Sequence, residues 1–195
     1  MNAPLIVGIG GTTRPGSSGE TALRVALAHA ERAGARTRLF GGADLAALPH
    51  YAPEHPERHA VQTELVEAVR AADGVLIATP SYHGGMSGLV KNALDLLEDL
   101  RGDARPYLDG RAVGVIVLAG GWQGAGVTLS ALRDIVHALR GWPTPLGVTL
   151  NTAASRPFTP DGECADDTTR SQLHTLTDQV LAFARMARTP AVTGA

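Results

Sequence analysis

The stretch Thr79-Pro80-Ser81-Tyr82-His83-Gly84-Gly85-Met86-Ser87-Gly88-Leu89-Val90-Lys91-Asn92 decides how this chain folds. Before it runs Asp73-Gly74-Val75-Leu76-Ile77-Ala78, whose apolar character and length suit a buried strand. Behind it Leu89, Ala93, Leu96, Leu97 and Leu100 recur at three- and four-residue spacing, which predicts a helix. A proline and three glycines thus stand at a strand-to-helix junction, where the backbone can come close to a flat ligand. In an open parallel sheet, ligands sit beyond the carboxyl ends of the strands, where this loop lies.

The same alternation continues in both directions. Residues 5–9 form a short apolar run ending in Gly10-Gly11, as a central parallel strand does. A helix is predicted over 21–33, with Gly34 as its end. A second strand follows over 36–40, where Arg36 and Arg38 suggest a sheet edge. Residues 44–51 lead into a loop, 52–58, that Pro53 and Pro56 stiffen and whose length suggests a functional role. A helix over 60–72 feeds the third strand, 74–78. A fourth strand, 112–118, ends in Ala119-Gly120-Gly121-Trp122-Gln123-Gly124, and a helix is predicted over 127–139. Gly141-Trp142-Pro143-Thr144-Pro145 breaks that helix before a fifth strand, 146–150. A polar loop, 151–166, precedes a last helix over 168–187, and 189–195 reads as a frayed tail.

Strands separated by helices imply right-handed βαβ units and a parallel sheet. The expected fold is α/β: a three-layer α/β/α sandwich, with five strands in the order 2-1-3-4-5 and five helices. One domain spans 1–188. The loops after the first and third strands then converge at the switch point. They are also the two loops richest in Gly, Ser and Thr.

Bulk composition narrows the class further. Of 195 residues, 44% are hydrophobic, enough for one substantial core. Net charge is −2, with 17 basic and 19 acidic side chains and no basic run, which argues against nucleic-acid or anionic-membrane partners. Met1-Asn2-Ala3-Pro4 enters the first strand without a charged leader, and no apolar run approaches the roughly 20 residues of a membrane span. The reading is a cytoplasmic protein outside the membrane. A single cysteine, Cys164, excludes an internal disulfide and a cysteine-based metal cluster. The seven histidines lack paired-ligand spacing; His55 and His59 straddle Pro56, so no metal is expected. No Gly-x-Ser-x-Gly elbow supports a hydrolase.

The first loop offers the hydroxyls of Thr12, Thr13, Ser17 and Ser18, the Arg14 cation and the amides of a helix start. That set suits a phosphate. The loop is neither a Walker loop nor a dinucleotide fingerprint. A helix cap is the plainer reading, although one Ser or Thr would serve for that. Residues 119–123, after the fourth strand, form a third wall by topology: Gly120 and Gly121 admit close approach, and Trp122 either covers a ligand or packs at a subunit contact. Trp142 reads as core or interface. Lys91 and Asp95, four apart, read as an ordinary surface pair.

Three segments resemble one family. Gly11-Thr12-Thr13-Arg14-Pro15-Gly16-Ser17 is similar to the Gly-Ser-x-Arg-x-x-Ser loop of NADPH-dependent FMN reductases. Residues 44–51 resemble their Asp-Leu-x-x-Leu-Pro-x-Tyr segment. Residues 79–95 resemble their signature Thr-Pro-Glu-Tyr-Asn-Gly-Ser-x-x-Gly-x-Leu-Lys-Asn-Ala-Leu-Asp, the most specific of the three. The matches run over about residues 5–150. The resemblance implies a flavodoxin-like fold and an FMN oxidoreductase. NADPH or NADH would be its reductant, and a flavin, quinone or similar planar small molecule its acceptor. It also implies a homodimer or tetramer. Carried over by position, it implies that Thr12, Arg14 and Ser17 hold the FMN phosphate with Ser18 beside them, and that Glu20 faces away because a carboxylate repels a dianion. Pro80, Ser81, Tyr82, His83 and Gly84 would line the ring, largely through backbone. Gly120, Gly121 and Trp122, placed by topology and not by the resemblance, complete the set.

Two positions depart from the family: Ser81 stands where Glu is common, and His83 where Asn is common. His83 either touches the flavin, where it would make the redox behaviour depend on pH, or faces solvent. Tyr51 reaches either the flavin or a neighbouring subunit. No acid–base dyad is expected, since the cofactor carries the chemistry. The alternative is a non-enzymatic FMN electron-transfer module, against which the near-neutral charge speaks.

Overall fold

Alternation of apolar side chains along the strands gives the sheet two faces that must each be covered. The computed structural model of the protein describes residues 2–188; the expected tail, 189–195, lies outside the described residues. The sheet is built from β1 (Leu5–Gly10), β2 (Arg36–Phe40), β3 (Gly74–Tyr82) and β5 (Ala112–Ala119). Along the outer edge of β5, two short strands follow in turn, β6 (Trp142–Pro143) and β7 (Val148–Asn151). All pair in parallel in the order β2-β1-β3-β5-β6, with β7 also on β5, so the 2-1-3-4-5 order holds. A two-residue strand, β4 (Gly85–Met86), folds back antiparallel on the end of β3.

Among the described residues six α-helices flank the sheet: α1 (Ser18–Arg32), α2 (Gly42–Ala46), α3 (Ala60–Ala71), α4 (Gly88–Asp95), α5 (Trp122–Ala138) and α6 (Asp167–Arg188). On one face Val7, Ile9, Val75, Ile77, Val113 and Val115 pack with Leu65 and Val69 of α3, Val90 and Ala93 of α4, and Leu132 and Val136 of α5. On the other, Ile6, Leu76, Ile116 and Leu118 pack with Leu23 and Leu27 of α1 and Leu173, Leu176 and Val180 of α6. Burying such a side chain contributes about 1.5–3 kcal/mol. The sheet core therefore fixes where its strand ends lie. At the opposite end, the buried Arg111 guanidinium donates to the carbonyls of Arg70, Ala72, Tyr107 and Asp109, and desolvation pushes its pKa down to about 10.

Several expected boundaries move. The fifth strand was placed at 146–150 but splits into β6 and β7. Pro143 and Pro145 lack the N–H a continuous ladder needs, and Leu146 N donates to Gln179 Oε1 of α6 instead. Trp142 is an exposed edge residue tilted on Phe183, 5.7 Å between ring centroids. Residues 44–51 lead into the loop expected at 52–58, and a short helix, α2, opens that stretch, with Asp44 Oδ2 accepting from Gly41 N at 2.8 Å. The helix expected from 127 begins at Trp122: Gly124 and Gly126 cost about 1 kcal/mol each in a helix, and packing against the sheet overrides that preference. Strand β3 runs past 78 to Tyr82 because β4 closes it into a hairpin.

Candidate active site

Gly10, the last residue of β1, pairs with Ala78 of β3, so the loop that leaves β1 opens beside the final residues of β3. Between them and the end of β5 lies a cavity of about 400 Å³. Thr12, Thr13, Arg14, Ser17, Ser18 and Gly19 line one side, Pro80, Ser81 and Tyr82 a second, and Leu118, Ala119 and Gly120 a third, with Thr152 at the rim. Volumes of this order are usual for ligand sites.

The first loop is held lightly. Thr12 Oγ1 accepts from Arg14 N at 3.2 Å, and Ser17 Oγ accepts from Glu20 N at 3.4 Å, capping α1. Capping uses the Ser17 oxygen as acceptor and leaves its O–H proton to be given elsewhere, so the cap and the ligand readings are compatible. No carboxylate lines the cavity. Glu20 is turned away from it: Oε1 pairs with Arg24 at 2.6 Å and Oε2 accepts from Gly42 N at 3.1 Å. Behind the loop, a Cβ on Gly42 would lie 1.8 Å from the Thr12 carbonyl oxygen, so only glycine lets α2 support the loop this closely.

The β3–β4 hairpin is tied internally. The buried Thr79 hydroxyl accepts from Ser87 N at 3.0 Å and donates to Pro80 O, while Ser87 Oγ accepts from Val90 N and caps α4. Ser81 turns its hydroxyl away from the cavity to Gly124 O (3.1 Å) and Thr128 Oγ1 (2.8 Å), so it lines the cleft by backbone. His83 and Gly84 are the two turn residues, both with positive φ (53° and 80°). That is the two-residue I′ hairpin, for which Asn-Gly is the preferred pair. His is among the few other side chains that tolerate the left-handed region. The His-for-Asn departure is therefore a substitution at a turn position.

Of the sequence-derived positions, Thr12, Arg14, Ser17, Ser18, Pro80, Ser81, Tyr82 and Gly120 line the cavity. His83 and Gly84 lie at the turn outside its lining, His83 exposed. Gly121 caps α5 and Trp122 opens it, pointing largely to solvent, also outside the lining. Gly19, Leu118 and Thr152 were missed. Thr152 follows β7 at the same sheet end, so topology was the one signal for it. Tyr51 lies away from the cavity: its ring carries Arg58 at 5.0 Å, and Arg58 bonds Asp99 with two nitrogens. Burial, then Asp99, pushes its phenol pKa up. Asn92 holds the 49–51 segment, donating to Pro49 O and accepting from Tyr51 N. Lys91 and Asp95 form a surface pair at 2.6 Å.

Among the described residues no three His, Cys, Asp or Glu side chains converge as a metal site requires, and no helix is long and apolar enough to cross a membrane.

The profile of the NADPH-dependent FMN reductase family matches residues 4–155. An NADPH azoreductase of Bacillus sp. (strain OY1-2) is 30% identical over 138 residues, 70% of this chain and 71% of that protein. An FMN-dependent NADPH-azoreductase of Staphylococcus aureus (strain USA300) is 38% identical over 88 residues, 45% of this chain and 43% of that protein. Among solved structures, the flavoenzyme NAD(P)H:(acceptor) oxidoreductase FerB from Paracoccus denitrificans superposes with a TM-score of 0.72 at 21% identity, over 94% of this chain and 98% of that one. An archaeal flavodoxin reaches 0.61 at 7% identity, over 95% and 99%. These two likenesses establish the flavodoxin-like fold. The chain belongs to the NADPH-dependent FMN reductase family, an oxidoreductase working through FMN with NADPH as reductant.

Proposed function

We propose that the cleft between β1, β3 and β5 holds FMN and that the protein passes electrons from NADPH to a planar aromatic acceptor, with azo compounds and quinones the first to test. The observation that carries this is the donor set: hydroxyls, one unpaired cation and a helix start at one end, backbone walls at the other, no carboxylate between. Thr12, Ser17 and Ser18 give O–H donors to the phosphate, Arg14 gives charge, and the start of α1 adds its dipole. Pro80, Ser81 and Tyr82 on one side, and Ala119 and Gly120 on the other, hold the ring in a slot by backbone and shape. When bound, the flavin supplies the redox chemistry, taking up reducing equivalents from the nicotinamide and giving them to the acceptor. The chain's task is placement, so no acid–base side chain needs to stand in the cleft. The names of the azoreductase relatives support an azo acceptor.

We infer one flavin-binding domain over 1–188 and a homodimer. Tyr82, Trp122 and Val127 are 57%, 62% and 52% exposed on the hairpin and the start of α5, beside the open side of the cleft. A second copy covering them would complete the slot.

The test is an absorbance spectrum of protein incubated with FMN and desalted, followed by anaerobic NADPH and then an azo dye or quinone. Bound yellow flavin that NADPH bleaches and the acceptor restores is the expected result. Colour that only dithionite bleaches would favour the electron-transfer module. No retained flavin and no FMN-dependent NADPH oxidation would overturn the reading.

A further inference from the structure

A second cavity, of about 480 Å³, opens from the phosphate end of the first. The two share Arg14, Ser18 and Thr152; Ser155, Arg156, Pro157 and Phe158 complete the second. No Asp or Glu lines it. Among the described residues Arg156 makes no hydrogen bond or ion pair, and the Arg14 guanidinium makes none either.

The loop that carries Arg156 is short and held at both ends. Thr152 gives its N–H (2.8 Å) and its hydroxyl (3.2 Å) to Ala119 O, tying the loop to the end of β5. The buried Asn151 Oδ1 accepts from Ala153 N and Ala154 N, 3.1 Å each. Beyond Arg156, Pro157 O accepts from Ala165 N at 2.8 Å, and Phe158 bridges to Cys164. Arg156 is thus an exposed cation on an anchored loop, facing a cavity with hydroxyls around it.

Charge decides what it is for. A phosphate monoester carries about −1.5 to −2 at neutral pH. Arg14 and the start of α1 offset about 1.5 of this, counting the helix end as about +0.5. The first phosphate is met without Arg156. A second phosphate within a Debye length of the first, about 8–10 Å, is repelled by it and requires its own cation. Resting on the flavin reading of the first cleft, we propose that the second cavity is a further phosphate subsite: Arg156 is its cation, Ser155 is its hydroxyl donor, and its ligand is the nucleotide phosphate next beyond the flavin 5′-phosphate. That phosphate belongs either to the adenylate half of FAD or to NADPH. The family profile ends at 155, one residue short of this arginine.

The test uses the full chain freed of flavin, with Arg156→Ala and Arg156→Lys. FMN and FAD are titrated by flavin fluorescence, and NADPH kinetics are run at saturating FMN. In Arg156→Ala the FMN dissociation constant is expected to stay within about twofold of wild type, since its phosphate is bound elsewhere. A rise of about tenfold or more in the FAD constant assigns the subsite to the flavin's second phosphate. A similar rise in KM for NADPH with kcat held assigns it to the reductant. Arg156→Lys keeps the charge and recovers part of either loss. If FAD and NADPH are unaffected, or if FMN weakens as much as FAD, the subsite is overturned. Inorganic pyrophosphate, titrated calorimetrically into flavin-free wild type and Arg156→Ala, reads the subsite even if FMN does not bind. Weaker binding in the variant supports it; equal binding, or none in wild type, overturns it.

Discussion

The loop after β1 and the hairpin after β3 face each other across one cleft, and they are built on opposite principles. In the first, Thr13 and Arg14 are exposed and few polar atoms are spent internally: one hydroxyl accepts from Arg14 N, and one caps α1. In the second, the hydroxyls of Thr79, Ser81 and Ser87 are committed to the protein itself, Thr79 to Ser87 N, Ser81 to Gly124 and Thr128, and Ser87 to Val90 N. A phosphate is recognised by charge and by O–H donors, which must be left unpaired. A flat ring is recognised by shape, which demands a rigid backbone and leaves side chains free to supply that rigidity. The contrast explains why the cleft is divided between a loop that offers chemistry and a hairpin that offers form.

Substitutions can break this contrast. Arg14→Ala is expected to raise the FMN dissociation constant about ten- to a hundredfold, the loss of a charged hydrogen bond, with the melting temperature of flavin-free protein unchanged. Affinity equal to wild type in a fluorescence titration would move recognition from the loop to the hairpin. Thr79→Val should do the reverse. It leaves the buried Ser87 N–H without an acceptor and costs about 2 kcal/mol in urea-unfolding stability, with FMN weakened only secondarily. Ser81→Ala removes the tie to α5 and is expected to cost about 1 kcal/mol by the same measurement. A larger effect on FMN affinity than on stability would show a side-chain role for Ser81 in the cleft. His83 gives the smallest and sharpest test. His83→Asn suits the turn and should gain a few tenths of a kcal/mol, whereas His83→Val, β-branched at positive φ, should lose about 1–2 kcal/mol. If Asn and Val instead change the flavin's reduction potential with no change in stability, the histidine belongs to the cleft and not to the turn.

Much of the fold was legible because the pattern is repeated. Each apolar run of strand length is followed by a helical period, and alternation repeated along the chain leaves few topologies once crossovers must be right-handed. Five strands and five helices fit the doubly wound order 2-1-3-4-5, which the sheet shows. The cleft's position was legible for the same reason, since the loops after β1 and β3 must meet at the switch point. Glu20 was expected to face away on electrostatic grounds, and it bonds Arg24 and Gly42 N.

What could not be read locally were positions settled by partners far along the chain. The start of α5 at Trp122 contradicts the preference of its glycines, and packing on β5 and the Ser81 contact to Gly124, 43 residues away, override it. The broken fifth strand depends on where two prolines fall against β5 and on a side chain of α6. Thr152 reaches the cleft, and Arg156 its extension, only because β7 ends beside β5.

The sequence by itself pointed to a doubly wound sheet, to the end of that sheet where the cavity opens, and to a loop whose hydroxyls and arginine suit a phosphate, because periodicity, propensity and donor chemistry are properties of neighbouring residues. Only the tertiary structure decided which of those residues face the cavity, that His83 is a turn residue and Ser81 a strut, and that a second arginine stands beyond the first. Side-chain direction depends on contacts made across the fold, and no local pattern carries them.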